Sequence, residues 1–148
     1  MDDSTEIRSG KHVVFLLHAH LVFVTKYRKG VFTKSMLDSM KDVFHSVCSD
    51  FESSLVEFDG EKDHVHLLIN YPPKVSISKL VNSLKGGASR ILRRDFKRNI
   101  GHMLYKGVLW SPSYFAGSCG GTPLETVRAR FRNKKHHGRV RECLPSST

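Results

Sequence analysis

Two histidines one residue apart, in the stretch DHVHLLIN at residues 63–70, are the side chains of this sequence best suited to chemistry. On a β-strand successive side chains point to opposite faces, so His64 and His66 would share one face while Val65 points to the other. Two neutral imidazoles can hold a divalent metal and leave coordination positions open for a substrate, provided that a third ligand comes from elsewhere. From the residues alone, metal binding and a structural role are equally favoured.

A second pair with the same spacing, His18 and His20, lies in the apolar segment HVVFLLHAHLVFV at 12–24. In such a context an imidazole more often belongs to the core or to a sheet face, and this interpretation is favoured for the pair. His20 is also a candidate to reach the His64 and His66 site from a neighbouring strand.

Positive charge is concentrated in a few segments. The 148 residues include 24 Lys and Arg against 14 Asp and Glu, a formal net charge of +10. This excess favours a polyanionic partner, with nucleic acid ahead of an anionic membrane surface. A run of charges is often only a solvated surface, but its recurrence at 26–29, 85–98 and 128–141 favours phosphate contacts. The candidate phosphate-binding residues are Lys26, Arg28, Lys85, Arg90, Arg93 and Arg94.

Aromatic residues accompany these basic segments. They could stack on unpaired bases or belong to the core. They are Tyr27, Tyr105, Trp110 and Tyr114.

Membrane and disulfide classes are disfavoured. No apolar run approaches the roughly 20 residues of a spanning helix, and the N-terminus MDDSTEIRSGK is unlike a secretory signal, so a cytoplasmic protein is expected. Cys48, Cys119 and Cys143 are widely spaced and form no CxxC pair. Reduced thiols are therefore expected, with neither a disulfide framework nor a zinc ribbon.

Hydrophobic periodicity predicts one α+β domain. The order strand, helix, strand, strand, helix, strand, helix fits a ferredoxin-like or RRM-like antiparallel sheet with helices packed on one face. The predicted elements are a long buried strand at 12–24, a helix at 34–51 after Thr33, a β-hairpin of 54–59 and 64–70 with its turn centred on Gly60, a helix after the cap Ser76, a loop at 106–119 leading into a last strand, and a helix opened by Thr122. The adjacent Gly86 and Gly87 within the second helix indicate a close approach to its backbone or a kink.

Five segments in chain order resemble the single-tyrosine HUH transposases of the smallest bacterial insertion sequences. The resemblance covers roughly residues 13–128, which gives an N-terminal tail at 1–11, a transposase-like domain at 12–129 and a divergent basic tail at 130–148. The segments are HLVFVTKYRKGVF (20–32), DHVHLLI (63–69), LVNSLKGGASRILRR (80–94), LWSPSYFAGSCGG (109–121) and LETVR (124–128).

The resemblance implies a function and a site. It implies a homodimer that binds hairpins in single-stranded DNA, and cuts and rejoins the strand with a divalent metal, Mg²⁺ or Mn²⁺, as its cofactor. It assigns His64 and His66 to the metal, which polarises the scissile phosphate, and it assigns the attack to a tyrosine on the last helix. A tyrosine nucleophile conserves the bond energy for rejoining as a 5′-phosphotyrosine.

The last helix departs from the family pattern, in which LETV and two further residues precede the tyrosine, and a glutamine ligand follows four residues later. Here Arg130 and Lys134 occupy these two positions, and residues 129–148 contain no tyrosine. His136 or His137 could supply a third ligand, although a solvated basic tail is the favoured interpretation. Tyr114 is a weak candidate for a substitute nucleophile.

The function predicted from the sequence is that of a transposase with the metal half of its site present. Because the two chemical positions of the last helix have changed, a hairpin-binding protein that descends from a transposase but does not cleave is the alternative. An RRM-like RNA-binding protein is a further alternative, suggested by the order of elements and by charge alone.

Overall fold

The histidine strand is one of two central strands in a four-stranded antiparallel sheet. The computed structural model describes residues 7–9, 14–100 and 107–118. Its elements are β1 (Arg8–Ser9), β2 (Val14–Phe15), β3 (His18–Thr25), a 3₁₀ turn (Lys26–Arg28), α1 (Lys34–Asp50), β4 (Ser54–Gly60), β5 (His64–Asn70), α2 (Ile77–Asp95), α3 (Lys97–Ile100) and β6 (Trp110–Ser118). The sheet order is β4-β5-β3-β6, and β1 and β2 form a separate two-stranded sheet. The predicted α+β class with an antiparallel sheet is confirmed.

The main core lies between one face of this sheet and the two long helices. Leu21, Phe23 and Leu67 of the sheet are fully buried together with Phe44 of α1 and Leu84 of α2. The predicted starts of α1 and α2 are confirmed, because Thr33 Oγ1 accepts from Met36 N at 3.3 Å and Ser76 Oγ accepts from Lys79 N at 3.4 Å. Such caps satisfy backbone donors that have no partner within the helix.

The prediction of one strand over 12–24 is wrong. The chain leaves strand geometry at Leu16 and Leu17 and enters the main sheet only at His18. The carbonyl of Leu17 accepts from Tyr71 N at 3.1 Å and from the side chain of Asn70 at 3.3 Å, so it is bound just beyond the end of β5. The apolar run conceals this break because its composition does not change there.

The prediction of a loop around Pro112 is also wrong, since residues 110–118 form strand β6 at the edge of the sheet. Between the pairs Phe23↔Tyr114 and Thr25↔Trp110 the register advances two residues on β3 and four on β6, and Pro112 lies within this bulge. A proline removes no ladder hydrogen bond at such a place.

The turn between β4 and β5 follows Gly60 instead of being centred on it. Gly60 ends β4 and residues 61–63 form the turn, with Glu61 N donating to the carbonyl of His64 at 2.8 Å. The predicted last helix, the Arg130 and Lys134 positions, Tyr105, Cys119 and Cys143 lie outside the described residues.

Cys48 is a free thiol within the core, as expected. Burial raises its pKa to about 12. Within the described ranges, no helix combines the length and the apolar character that crossing a membrane requires.

The two adjacent glycines of α2 face different surroundings. A Cβ at Gly87 would lie 2.9 Å from Val43 Cγ1 of α1, whereas a Cβ at Gly86 would meet nothing within 4 Å. Of the two sequence interpretations, the close approach is therefore confirmed, and it concerns Gly87 only.

This difference gives a prediction with an internal control. We expect Gly86→Ala to stabilise the fold by up to about 1 kcal/mol, since alanine is the better helix former. Gly87→Ala gains the same helix propensity but crowds the stiff side chain of Val43, so it should be less stable than Gly86→Ala by about 1–3 kcal/mol. Urea unfolding of both variants measures this difference, and equal stabilisation by both would contradict the close approach.

Candidate functional site

His64 and His66 lie side by side on the sheet face opposite the main core. In the register of β3 and β5, His64 pairs with Val24 and His66 with Val22, while Val65 pairs with the core residue Phe23. The two imidazole centroids are 5.0 Å apart, and both side chains are buried. The predicted sharing of one face is confirmed. Because the strand is paired on both sides, the backbone beneath the two imidazoles is fixed.

Asp63 and Arg28 form a chain of contacts with His64. The Nδ1 atom of His64 lies 2.7 Å from Oδ1 of Asp63, and the other oxygen of Asp63 accepts from Nε of Arg28 at 3.0 Å. Partial burial acts to raise the pKa of Asp63, but the hydrogen bonds with His64 and Arg28 outweigh it and hold that pKa below its ordinary value. The carboxylate therefore stays ionised beside the imidazole. The contact occupies Nδ1, so Nε2 is the nitrogen of His64 that suits a metal.

His20 reaches the pair from the neighbouring strand β3. Its Nε2 lies 3.2 Å from Nδ1 of His66, and the two rings stack with centroids 5.5 Å apart. The favoured interpretation of His20 as a sheet-face residue and the alternative of a contact with the site are thus both correct. Phe115 of β6 adds a ring edge 5.9 Å from His20 and was not anticipated from the sequence.

The donor set fits two positions of a divalent metal site. Imidazoles that bind a metal through Nε2 commonly donate from Nδ1 to a carboxylate or another acceptor, and Asp63 is such a partner for His64. Within residues 7–9, 14–100 and 107–118, no group of three or more His, Cys, Asp or Glu is placed to hold a metal. A third protein ligand would have to come from outside these ranges or from another subunit.

The basic loop at 26–29 is anchored against the start of β5. Thr25 N donates to the carbonyl of Asp63 at 2.9 Å, and Thr25 Oγ1 donates to the carbonyl of Lys29 at 2.7 Å. Tyr27 and Arg28 both adopt left-handed backbone conformations, with φ of 59° and 56°. This geometry is uncommon for residues other than glycine, and it concentrates at functional sites. Tyr27 is 67% exposed.

The basic end of α2 lies near the same loop. A side-chain nitrogen of Arg93 donates to the carbonyl of Gly107, and Lys26 N donates to the carbonyl of Leu109 at 2.9 Å. Both basic segments thus contact the stretch 107–109, which brings them to one side of the molecule. Arg90 and Arg94 are exposed, and Arg94 pairs with Asp95 at 2.8 Å.

Lys85 has a structural role that the sequence did not indicate. Its Nζ donates to the carbonyls of Ser111 and Ser113, at 2.8 and 3.2 Å, and lies 5.4 Å from the ring centroid of Tyr114. Trp110 Nε1 donates in return to the carbonyl of Lys85 at 3.1 Å. Burial lowers the pKa of Lys85. The structure therefore gives no support to Lys85 as a phosphate-binding residue, because its ammonium group fastens α2 to the bulge of β6.

Tyr114 lies on the wrong face of the sheet to replace the nucleophile. Residues directly opposite each other in antiparallel strands share a face, so Tyr114 shares the core face with its partner Phe23. The ring centroids of these two residues are 6.4 Å apart. His64 and His66 point to the other face. Within one subunit, the structure thus gives no support to Tyr114 as a substitute.

Comparison with known proteins identifies the family. A model of the family described as "Transposase IS200 like" matches residues 13–134. The chain belongs to this transposase family. The family recognised in the sequence and the predicted function in DNA transposition are thereby confirmed.

Individual transposases agree with this assignment. The ISDra2 transposase TnpA of Deinococcus radiodurans is 30% identical over 127 residues, which cover 86% of this chain and 87% of that protein. The transposase for insertion sequence element IS200 of Salmonella typhimurium is 28% identical over 104 residues, which cover 68% of this chain and 66% of that protein.

Solved structures share the fold of this transposase. The crystal structure of a Deinococcus radiodurans R1 protein described as a transposase superposes with a TM-score of 0.70 and 28% identity, covering 86% of this chain and 98% of that one. A REP-associated tyrosine transposase bound to a REP hairpin superposes with a TM-score of 0.59 at 13% identity, covering 84% of this chain and 70% of that one. The second likeness shows the fold alone.

Proposed function

We propose that this transposase binds hairpins in single-stranded DNA beside a divalent metal, Mg²⁺ or Mn²⁺, held through Nε2 of His64 and His66. The observation that carries the proposal is the chain of contacts from His64 through Asp63 to Arg28. It sets the paired imidazoles next to an exposed basic loop, and a DNA phosphate bound by that loop lies close to the metal ligands. Another transposase with this fold has been solved bound to a REP hairpin, so the fold is compatible with hairpin DNA as the ligand class.

Different residues of this chain would have different roles in such a site. His64 and His66 bind the ion from a strand that is paired on both sides. Lys26 and Arg28 offer donors to the phosphates of the bound DNA strand. The exposed ring of Tyr27 suits an unpaired base. When bound, a divalent ion neutralises charge at a scissile phosphate.

Arg90, Arg93 and Arg94 complete the proposed phosphate-binding surface, and Lys85 is left out of it. The positive charge of this surface attracts the polyanion over a distance set by the ionic strength. Binding through several phosphates releases counterions, so the affinity should fall steeply as salt rises.

We propose a homodimer on the resemblance to the family. The apolar segment at 12–24 would suit pairing across a two-fold axis only if its strand lay at an edge of the sheet. In the structure β3 pairs with both β5 and β6, and the edges of the described sheet are β4 and β6. Any pairing of two sheets would therefore use one of these two strands.

A second candidate function is hairpin binding without cleavage. It is favoured by Arg130 at the position of the nucleophile and by the orientation of Tyr114 away from the histidines. Both candidates share the same DNA-binding surface and differ only in whether a strand is cut. The RNA-binding alternative rested on fold order and charge, and family membership removes that basis.

The proposal predicts that hairpin DNA binds more tightly than an unstructured strand or a blunt duplex. The affinity for the hairpin should be lower at 200 mM than at 50 mM salt, by about 10³-fold or more if six phosphates are contacted. Fluorescence anisotropy with the three DNAs measures this, and light scattering of the same samples gives the number of subunits. Duplex binding as tight as hairpin binding would exclude the proposal, and a strict monomer would exclude the homodimer.

Charge reversal identifies the surface in the same assay. Arg90→Glu should weaken hairpin binding by about tenfold or more, because it removes one phosphate contact and adds repulsion. Lys79→Glu is the matched control, since Lys79 is exposed on the same helix about three turns away. Equal losses from the two variants would indicate general attraction to positive charge instead of a localised surface.

A further inference from the structure

The carboxylate of Asp63 uses its two oxygens for two different partners. Oδ1 lies 2.7 Å from Nδ1 of His64, and Oδ2 accepts from Nε of Arg28 at 3.0 Å. The side chain of His64 is 7% exposed, that of Asp63 is 24% exposed and that of Arg28 is 60% exposed. A buried imidazole is thus linked to the solvent-exposed loop through a single carboxylate.

We propose that Asp63 sets the tautomer and ring orientation of His64, and that Arg28 holds Asp63 in the position that does so. This inference rests on the proposed function of His64 as a metal ligand. An ionised carboxylate can only accept hydrogen bonds, so its contact with Nδ1 requires the proton there. Nε2 is then left with its lone pair, which is the state a metal needs. Asp63 and Arg28 are positioning residues in this scheme.

The backbone around Arg28 favours this role. Tyr27 and Arg28 both lie in the left-handed region, and hydrogen bonds from Thr25 to the carbonyls of Asp63 and Lys29 hold the two segments together. Val31 and Phe32 each donate a backbone hydrogen bond to the carbonyl of Lys62 at 3.0 Å. These contacts do not involve the Arg28 side chain, so we expect substitutions there to report on the side chain.

The two histidines differ in their partners. The Nδ1 of His66 faces the imidazole of His20, whereas that of His64 faces a carboxylate. A carboxylate partner makes an imidazole a more basic ligand, and loss of such a partner typically weakens metal binding by about 10–100-fold. His64 is therefore the ligand that an Asp63 substitution should affect most directly.

Asp63→Asn should invert the tautomer because Arg28 fixes which way the amide turns. Arginine can only donate, so the amide oxygen of the new side chain faces Arg28 and its NH₂ group faces His64. The NH₂ group then donates to Nδ1, and the proton of His64 moves to Nε2. Adding Arg28→Ala releases the amide to turn over, so that its oxygen can again accept from Nδ1. The double variant should consequently be less impaired than Asp63→Asn alone.

Mn²⁺ titration without DNA, followed by electron paramagnetic resonance, tests these expectations and separates positioning by Arg28 from phosphate binding. We expect Asp63→Asn to weaken Mn²⁺ binding by about 10–100-fold and Arg28→Gln alone to weaken it by less. The double variant Asp63→Asn with Arg28→Ala should recover part of the affinity that Asp63→Asn loses. Asp95→Asn is the matched control, because Asp95 is also paired with an arginine, at 2.8 Å, but lies on α2, which packs on the sheet face opposite the histidines. It should leave Mn²⁺ binding unchanged.

Nitrogen-15 NMR of the metal-free chain gives a second readout that a merely structural role would not move. The proton of His64 should be on Nδ1 in the unchanged chain and on Nε2 in Asp63→Asn, with circular dichroism to verify that the variant is folded. An unchanged chain with the proton on Nε2, or an Asp63→Asn variant with the same tautomer as the unchanged chain, would overturn the inference. If the unchanged chain bound no Mn²⁺, the proposed function would fail, while the NMR result would still decide the role of Asp63.

Discussion

Arg130→Tyr combined with Lys134→Gln is expected to give this chain a covalent adduct with hairpin DNA that the unchanged chain does not form. In the unchanged chain Arg130 stands where the family pattern has its nucleophile. Arginine stays protonated and has no lone pair to offer to phosphorus, so it can bind a phosphate but cannot attack it. A tyrosine oxygen can form the bond to phosphorus while the bond to the 3′-oxygen breaks and a 3′-hydroxyl leaves.

Lys134 adds a second obstacle, since it stands where the pattern has a metal ligand. A lysine there would set a cation near the bound metal and weaken metal binding by repulsion. Positions 130 and 134 are four residues apart and share one face if the segment is helical, so the two substitutions are tested together.

The measurement is a denaturing gel after incubation with Mn²⁺ and a hairpin labelled in the fragment whose 5′ phosphate would join the protein. The restored variant should give a labelled protein band, and the unchanged chain none. Arg130→Phe with Lys134→Gln is the control, because it restores the ring and the ligand without the hydroxyl. A band from the unchanged chain that is removed by Tyr114→Phe would contradict the prediction and make Tyr114 the nucleophile.

His64→Ala combined with His66→Ala is expected to lower Mn²⁺ affinity by about 100-fold or more, since the two substitutions remove both imidazole ligands. The fold should persist, because the metal would serve chemistry and the main core lies on the opposite face of the sheet. Isothermal titration with Mn²⁺ measures the affinity, and thermal unfolding monitored by circular dichroism measures the fold. His45→Ala is the control, because it removes a histidine from an exposed position of α1. Mn²⁺ binding by the double variant equal to that of the unchanged chain would exclude the metal assignment.

Much of the fold could be predicted because local pattern and tertiary packing agree in the long elements. The apolar stripe of α1, the caps Thr33 and Ser76, and the β-hairpin that carries the histidines all follow from periodicity and turn chemistry. The break after Phe15 and the bulge at Pro112 could not be predicted. Each depends on partners elsewhere in the chain, namely the end of β5 for Leu17 and strand β3 for β6.

The candidate site also combines features that local pattern predicts with features that depend on distant parts of the chain. The shared face of His64 and His66 follows from strand geometry alone. The contact of His20 with His66 joins residues 46 positions apart and depends on the register between β3 and β5. The contacts of Lys85 could not be predicted for a related reason, because its positive charge is visible in the sequence whereas the two carbonyls that it binds belong to an irregular edge strand.

The burial of β5 on both faces has a consequence for how such a chain can change over generations. All seven residues of β5 are buried, so the two imidazoles are held by a strand whose stability comes from the core and from both neighbouring strands. Positions 130 and 134 lie outside β5 and its two neighbouring strands in sequence. A lineage that loses the cutting step can therefore keep the folded framework beneath the basic loop and the paired imidazoles, which is the physical condition under which a mobile element's enzyme can be retained by its host as a DNA-binding factor.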